Sequence, residues 1–333
     1  MLFLELACIR WFPAHVVFLS FFTNTVLLAS FMGMSVGCLL ARRRFHHITL
    51  TPVLLLVALG CGLAVERHRE LFSENVLVGD PTKPDVVFFG AETGVKGTLE
   101  FKVPVELMAG AFFLLVGAAL VGPGQELGRA FNRTPDRTTS YTWNLLGSLA
   151  GIAAFAACSQ FQLPPVAWYG LVAAVVAYFL LRPQPDGDPV RPLVPLAALA
   201  MAVAMTVPTS FSGVAGFTAG REVNWSPYYR IDYDLASRDI ITNQTGRQKI
   251  IERGSPTQAP YDLPYLFARE LGRSEYKRIL VIGAGAGNDL VRALYWCGPD
   301  ARIDAVEIDP AIHQLGAKHN PDKPYATPAS RCT

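Results

Sequence analysis

The sequence predicts an N-terminal α-helical transmembrane bundle joined to a C-terminal α/β nucleotide-binding domain that is incomplete. Three observations carry this. The 333 residues are 51% hydrophobic and only 17% charged, with mean hydropathy +0.29, whereas soluble domains average about 25% charged residues. Apolar stretches of bilayer-spanning length recur between Val16 and Val207. A strand, a glycine turn, a helix and a second strand then follow one another between Lys277 and Pro310. The predicted organisation is a multi-span region over 1–207, a linker over 208–224 and a nucleoside-binding domain over 225–333.

The first residues, 2–9, are apolar but interrupted by Glu5 and followed by Arg10. No basic n-region precedes them, so they read as the tail of a membrane helix and not as a signal peptide. Predicted spans cover 16–40, 50–65, 103–121, 141–161, 166–181 and 193–207. The last is the shortest, at about 15 residues against the usual 20 or so, and Pro208 follows it. Gly33 and Gly37 form a G-x-x-x-G pair, which permits close helix approach or else merely loosens the helix. The loop at 66–102 holds more acids than bases, 182–192 is a Pro/Asp/Arg linker, and 208–220 is rich in Gly, Ser and Thr, as expected of a domain boundary.

Charge patterning sets the membrane sidedness. Arg42, Arg43 and Arg44, then Arg129, Arg133 and Arg137, then Arg182 and Arg191 mark cytoplasmic loops by the positive-inside rule. His46 and His47 read as part of the first basic flank. Counting spans onward puts the C-terminal domain outside, whereas an adenosine cofactor requires it inside, and the weak span at 193–207 is the suspected source of that conflict. Intramembrane polar residues are functional candidates: Glu5, Asn24, Glu106 and Asn144 motivate an alternative reading as a transporter or scaffold. The net charge of +2 gives no reason to invoke nucleic acid. The cysteines (Cys8, Cys38, Cys61, Cys158, Cys297, Cys332) form no C-x-x-C pair, so neither a metal site nor a disulfide framework is expected.

The chemistry lies in KRILVIGAGAGNDLVRALYWCGPDARIDAVEIDP. Ile279 to Ile282 is an apolar run that reads as a buried parallel strand. Gly283, Gly285 and Gly287 follow, and without Cβ atoms they allow a sharp turn close to a ligand. A helix over 290–296, opened by Asn288 and Asp289, leads to a strand over 303–308 with Glu307 near its carboxyl end. An acid about 20 residues beyond the glycines is placed to accept bonds from ribose hydroxyls, as in a Rossmann-like half-fold. The third glycine of G-x-G-x-x-G is Asn288 here, which disfavours NAD and leaves adenosine-type ligands such as S-adenosylmethionine. An ordinary glycine turn beside an incidental acid is the competing reading.

The run Trp225-Ser226-Pro227-Tyr228-Tyr229-Arg230-Ile231, together with the glycine turn and Val306-Glu307-Ile308-Asp309-Pro310, resembles the spermidine synthase family. The resemblance is closest to membrane-fused, spermidine-synthase-like proteins of bacteria, whose multi-span region also looks like 4–10 and 144–152 of this chain. It implies a class I methyltransferase-like fold in an inner-membrane protein. The implied reaction is transfer of an aminopropyl group from decarboxylated S-adenosylmethionine, without a metal. Carried over by position, Gly283, Gly285 and Gly287 line the donor, Glu307 takes the ribose, Asp309 supports that loop, Gln248 lies near the donor, and Ser226-Pro227-Tyr228 borders the entrance.

The departures bear on chemistry. The acid that holds the donor's amine in the family is Ala286 here, the entrance glutamine is Tyr229, and 261–265 lacks the family's diamine segment. A dicationic diamine needs carboxylates to replace its lost hydration, so putrescine is not the expected acceptor, and methyl transfer from S-adenosylmethionine is the neighbouring variant. The family's catalytic aspartate lies beyond the point this sequence reaches. No residue is assigned as catalytic base, and the expectation is a truncated gene product.

Overall fold

A computed structural model describes the whole chain except residues 23, 69–74, 81–82, 89–103, 183–190, 255–258, 274–275, 298–300, 328–329 and 333. The chain divides into two compact units: Met1–Ala219 with Asn243–Thr245, and Gly220–Thr242 with Gly246–Thr333.

The first unit is helical. It runs α1 (Leu2–His15), α2 (Val17–Phe21), α3 (Asn24–Leu39), α4 (Thr51–Arg67), an antiparallel hairpin of β1 (Asn75–Asp80) and β2 (Lys83–Phe88), then α5 (Val105–Arg133), α6 (Arg137–Gln160), α7 (Pro165–Leu181) and α8 (Leu193–Ser210). Among the described residues, five helical stretches are long and apolar enough to cross a membrane: Asn24–Arg42, His47–Arg67, Glu106–Arg133, Arg137–Gln160 and Leu193–Ser210. The suspected segment at 193–207 is therefore an 18-residue apolar helix, and Pro165–Leu181 is the short one. The span expected from residue 16 breaks at Phe22, whose backbone leaves the helical region. The polar run Thr23-Asn24-Thr25 follows the break at once, and α3 begins at Asn24. The first residues form α1, which buries Ala7, Trp11, Phe12 and Ala14 completely. The expected loop at 66–102 and linker at 182–192 lie largely outside the described residues.

The two glycines of α3 serve close approach. A Cβ on Gly33 would fall 2.0 Å from the Gly117 carbonyl oxygen, and one on Gly37 would fall 2.2 Å from that of Val121, both on α5. The α5 side answers in kind, since a Cβ on Gly124 would lie 2.5 Å from the Met34 carbonyl oxygen. Backbone against backbone is the packing that small residues allow between apolar helices.

The second unit starts inside the stretch expected as linker. An antiparallel sheet orders β3 (Arg221–Trp225), β4 (Arg230–Asp234), β5 (Asp239–Thr242) and β6 (Thr245–Lys249) in sequence. After α9 (Ala259–Glu270) come β7 (Arg278–Ile282), α10 (Asn288–Cys297), β8 (Arg302–Val306), α11 (Pro310–His319) and β9 (Ser330–Cys332). Strands β7, β8 and β9 lie parallel in that order. One face of this sheet packs Ile303 and Ala305 with Ala284, Leu290 and Ala293, joined by Ile279 and Val281. The other face is bare: Leu280 is 62% and Ile282 80% exposed. The expectation of a strand buried on both faces is corrected here. A continuous apolar run records what a strand would cover, and in this unit only alternate side chains are covered.

Candidate functional site

The glycine turn begins where β7 ends. The backbone N–H groups of Gly283 and Ala284 both donate to the Val306 carbonyl, at 2.8 and 3.0 Å, which ties the turn to the carboxyl end of β8. Gly283 and Gly287 have φ of +76° and +90°, a region that side-chain-bearing residues avoid. Beyond β8, Glu307 turns back, and its Oε2 accepts the Gly285 N–H at 2.7 Å while Oε1 accepts the Asp309 N–H at 2.8 Å. Asp309 is fully buried, and its Oδ1 accepts the Ala311 N–H at 2.9 Å as the N-cap of α11. The glycine turn and the acid loop are thus one hydrogen-bonded unit.

The three glycines differ in what faces them. Gln248, half-buried on β6, accepts the Ala286 N–H at 2.9 Å and lies so close that a Cβ on Gly285 would meet its Oε1 at 2.5 Å. A Cβ on Gly287 would meet Pro324 Cγ at 2.5 Å. A Cβ on Gly283 would meet nothing within 4 Å. Open approach therefore exists at Gly283, beside Glu307, while Gly285 and Gly287 are packed from within the unit.

Several contacts at this turn have no local sequence signal. The Tyr325 hydroxyl donates to the Gly285 carbonyl at 2.6 Å, and Asn320 Nδ2 donates to the Ala286 carbonyl at 2.9 Å. Gly316 lets α11 approach the turn, since a Cβ there would lie 2.7 Å from Ala286 Cα. Asn288, which stands where the dinucleotide pattern has its third glycine, is buried and tied to the end of β6. It donates to the Lys249 carbonyl at 2.7 Å and accepts the Ile251 N–H at 3.2 Å. Spacing alone could have flagged Asn288 only as a departure.

Ser226-Pro227-Tyr228 forms the turn between β3 and β4, where the buried Ser226 Oγ accepts the N–H groups of Tyr228 and Tyr229, both at 3.2 Å. Tyr228 is exposed, and Tyr229 packs on the apolar cluster that holds Ala286, Ile231, Ile312 and Leu315. The Ala286 methyl is thus enclosed by hydrocarbon. In the segment compared with the diamine site, Asp262 is committed elsewhere. Its Oδ1 accepts from Arg292 Nε at 2.5 Å and from Trp296 Nε1 at 2.7 Å. Burial pushes this carboxyl up, but those hydrogen bonds and the guanidinium charge more than offset it and hold it below the usual aspartate range. Asp289, in the first turn of α10, is half-buried, and burial pushes its carboxyl above the usual range.

Of the intramembrane candidates, Glu106 is exposed at the start of α5, Asn144 is half-buried on α6, and Glu5 is buried on α1. His46, read as part of the first basic flank, is buried and meets the Arg129 guanidinium. Among the described residues no cluster of His, Cys, Asp and Glu is arranged to hold a metal. Each Glu307 oxygen uses one acceptor position on a backbone N–H and retains another, so the carboxylate can still accept the paired hydroxyls of a ribose beside Gly283. No protein-family model, no curated protein and no solved structure matches this chain.

Proposed function

We propose that this chain is a membrane-anchored, spermidine-synthase-like transferase whose second unit binds an S-adenosylmethionine-type donor for aminopropyl or methyl transfer. The observation that carries the reading is the Glu307 carboxylate held against the glycine turn by Gly285 and Asp309, with open space over Gly283. Bound there, such a donor supplies an electrophilic carbon on a sulfonium. Glu307 accepts the ribose hydroxyls, and the turn orients the ligand while Gln248 and Tyr325 keep the turn rigid. The enclosed Ala286 methyl offers no carboxylate to the aminopropyl amine, which favours S-adenosylmethionine over its decarboxylated form. With Asp262 engaged by Arg292, putrescine is not the acceptor. Helices long and apolar enough to cross a membrane support a bilayer location, and a donor made in the cytoplasm calls for the second unit on that side. Calorimetric titration of the detergent-purified chain with S-adenosylmethionine, its decarboxylated form and 5′-methylthioadenosine tests this. Binding of S-adenosylmethionine is expected, and no heat with any ligand at saturating concentrations contradicts it.

One observation favours a second reading, a transporter or scaffold with a vestigial nucleotide-binding unit. Glu5 is 2% exposed within α1, and its Oε2 has no hydrogen-bond partner among the described residues. Solute flux into proteoliposomes that disappears in Glu5→Gln supports that reading, and absence of flux with cationic solutes removes it.

A further inference from the structure

The connection between α3 and α4 carries Arg42, Arg43 and Arg44, and all three are exposed. None of these side chains has a hydrogen bond or ion pair among the described residues. A basic flank that only obeys the positive-inside rule has no need of a fixed backbone. This one is fixed from below. Gln125 of α5, fully buried, accepts the His47 N–H at 2.8 Å and donates to the Leu40 and Phe45 carbonyls at 3.0 and 2.8 Å. Arg129, one helical turn further on and 5% exposed, donates to the Arg43 carbonyl at 2.8 Å and reaches the Ala41 and Phe45 carbonyls at 3.4 and 3.3 Å. Arg129 is itself held by Glu126 at 3.0 Å, and Glu126 also receives Arg182 at 3.5 Å. Glu126, one turn before Arg129, is thus engaged by two guanidinium groups, and among the described residues no acid pairs with the three outer arginines.

We propose that this turn is a preorganised site for the phosphate of an anionic phospholipid headgroup. Guanidinium groups bind phosphate oxygens through paired N–H donors, and holding the backbone in advance removes ordering cost from binding. Two features select a lipid over a free anion. The turn joins two helices of membrane-crossing length, ending at Arg42 and beginning at His47. Exposed apolar side chains flank the arginines, Leu39 at 84% and Phe45 at 46%, and they suit the acyl region below a headgroup. The inference rests on the bilayer placement proposed above.

The test is native mass spectrometry of the full chain in detergent, titrated with phosphatidylglycerol or phosphatidylcholine, with and without excess inorganic phosphate. Wild type is expected to retain phosphatidylglycerol preferentially, with inorganic phosphate unable to displace it. In R43Q/R44Q, which keeps Arg42 and the other basic loops, retention is expected to fall by about twenty-five-fold, at about fivefold per basic residue near a membrane surface. Q125L keeps every arginine but loses the carbonyl clamp, and its selectivity is expected to fall while its net charge does not change. Equal retention of both lipids by wild type, or unchanged selectivity in R43Q/R44Q, overturns the proposal. Displacement of phosphatidylglycerol by inorganic phosphate overturns the choice of a lipid as ligand. Extraction of the chain from cells without detergent would instead overturn the bilayer placement on which the proposal rests.

Discussion

The Gly285 N–H donates to Glu307 Oε2 at 2.7 Å, across the 22 residues that separate a glycine turn from the acid following the next strand. The same carboxylate takes the Asp309 N–H on its other oxygen. The acid proposed to take the ribose is thus also a structural brace, and its substitution is expected to have two separable effects. Glu307→Ala leaves two part-buried N–H groups without acceptors and is expected to destabilise the second unit by about 1–3 kcal/mol for each. Glu307→Gln keeps one oxygen acceptor and loses less. Chemical denaturation of both variants measures the difference; equal stability of wild type and Glu307→Ala contradicts the bracing role.

The glycines of the turn predict a split between fold and site. Gly283→Ala and Gly287→Ala both place a Cβ at positive φ, a strain of about 1–2 kcal/mol. Gly287→Ala also drives its Cβ into Pro324, so it is expected to lose more stability. Gly283→Ala meets only open space, and its added methyl is expected to weaken nucleoside binding by more than its effect on folding. Thermal melts and ligand titrations of the two variants, read side by side, check this ordering.

In the helical unit, Gly33→Leu and Gly37→Leu are expected to be severe. A Cβ at either position lies within 2.2 Å of a carbonyl oxygen on α5, and the facing group is backbone, which cannot rotate away. Overpacking costs about 1–3 kcal/mol even where side chains yield, so the loss here is at least of that order. Gly110→Ala and Gly147→Ala, with nothing within 4 Å of the added Cβ, serve as tolerated controls. Thermal unfolding in detergent separates the two classes.

Asp262 gives the second unit a pH dependence. Its carboxyl is held below the ordinary value of 3.8 by Arg292 and Trp296, against the upward push of burial. A depressed acid stabilises the fold above its unfolded pKa, and that contribution disappears as pH falls through the folded value. Stability is therefore expected to drop below pH 3.8, with α9 released from α10. Asp262→Ala leaves Arg292 largely buried without its carboxylate, at a cost of roughly 3 kcal/mol at neutral pH. That variant's acid limb is expected to be flatter than wild type's in pH-dependent denaturation.

The sequence made the helical half and the strand–turn–helix–strand order readable because both are local patterns. Apolar runs of spanning length and a glycine turn followed by an acid need no knowledge of distant residues. Their partners were less readable. The Gly33–Gly117 contact turns a G-x-x-x-G from a choice between flexibility and packing into packing, and only the facing helix decides that. Tyr325 and Asn320 reach the turn from 34 to 40 residues away and belong to no short motif. The bare Leu280 and Ile282 side chains show the opposite failure, since composition signalled burial that the neighbouring elements do not provide.

Titration of wild type and Glu307→Ala with 5′-methylthioadenosine, which keeps the adenine and ribose but lacks the aliphatic amine and carboxylate of the donor's tail, tests the role of Glu307 most directly. Saturable binding to wild type and none to a folded Glu307→Ala protein is expected. Equal affinity in the two proteins would remove Glu307 from the site and contradict the nucleoside-donor reading.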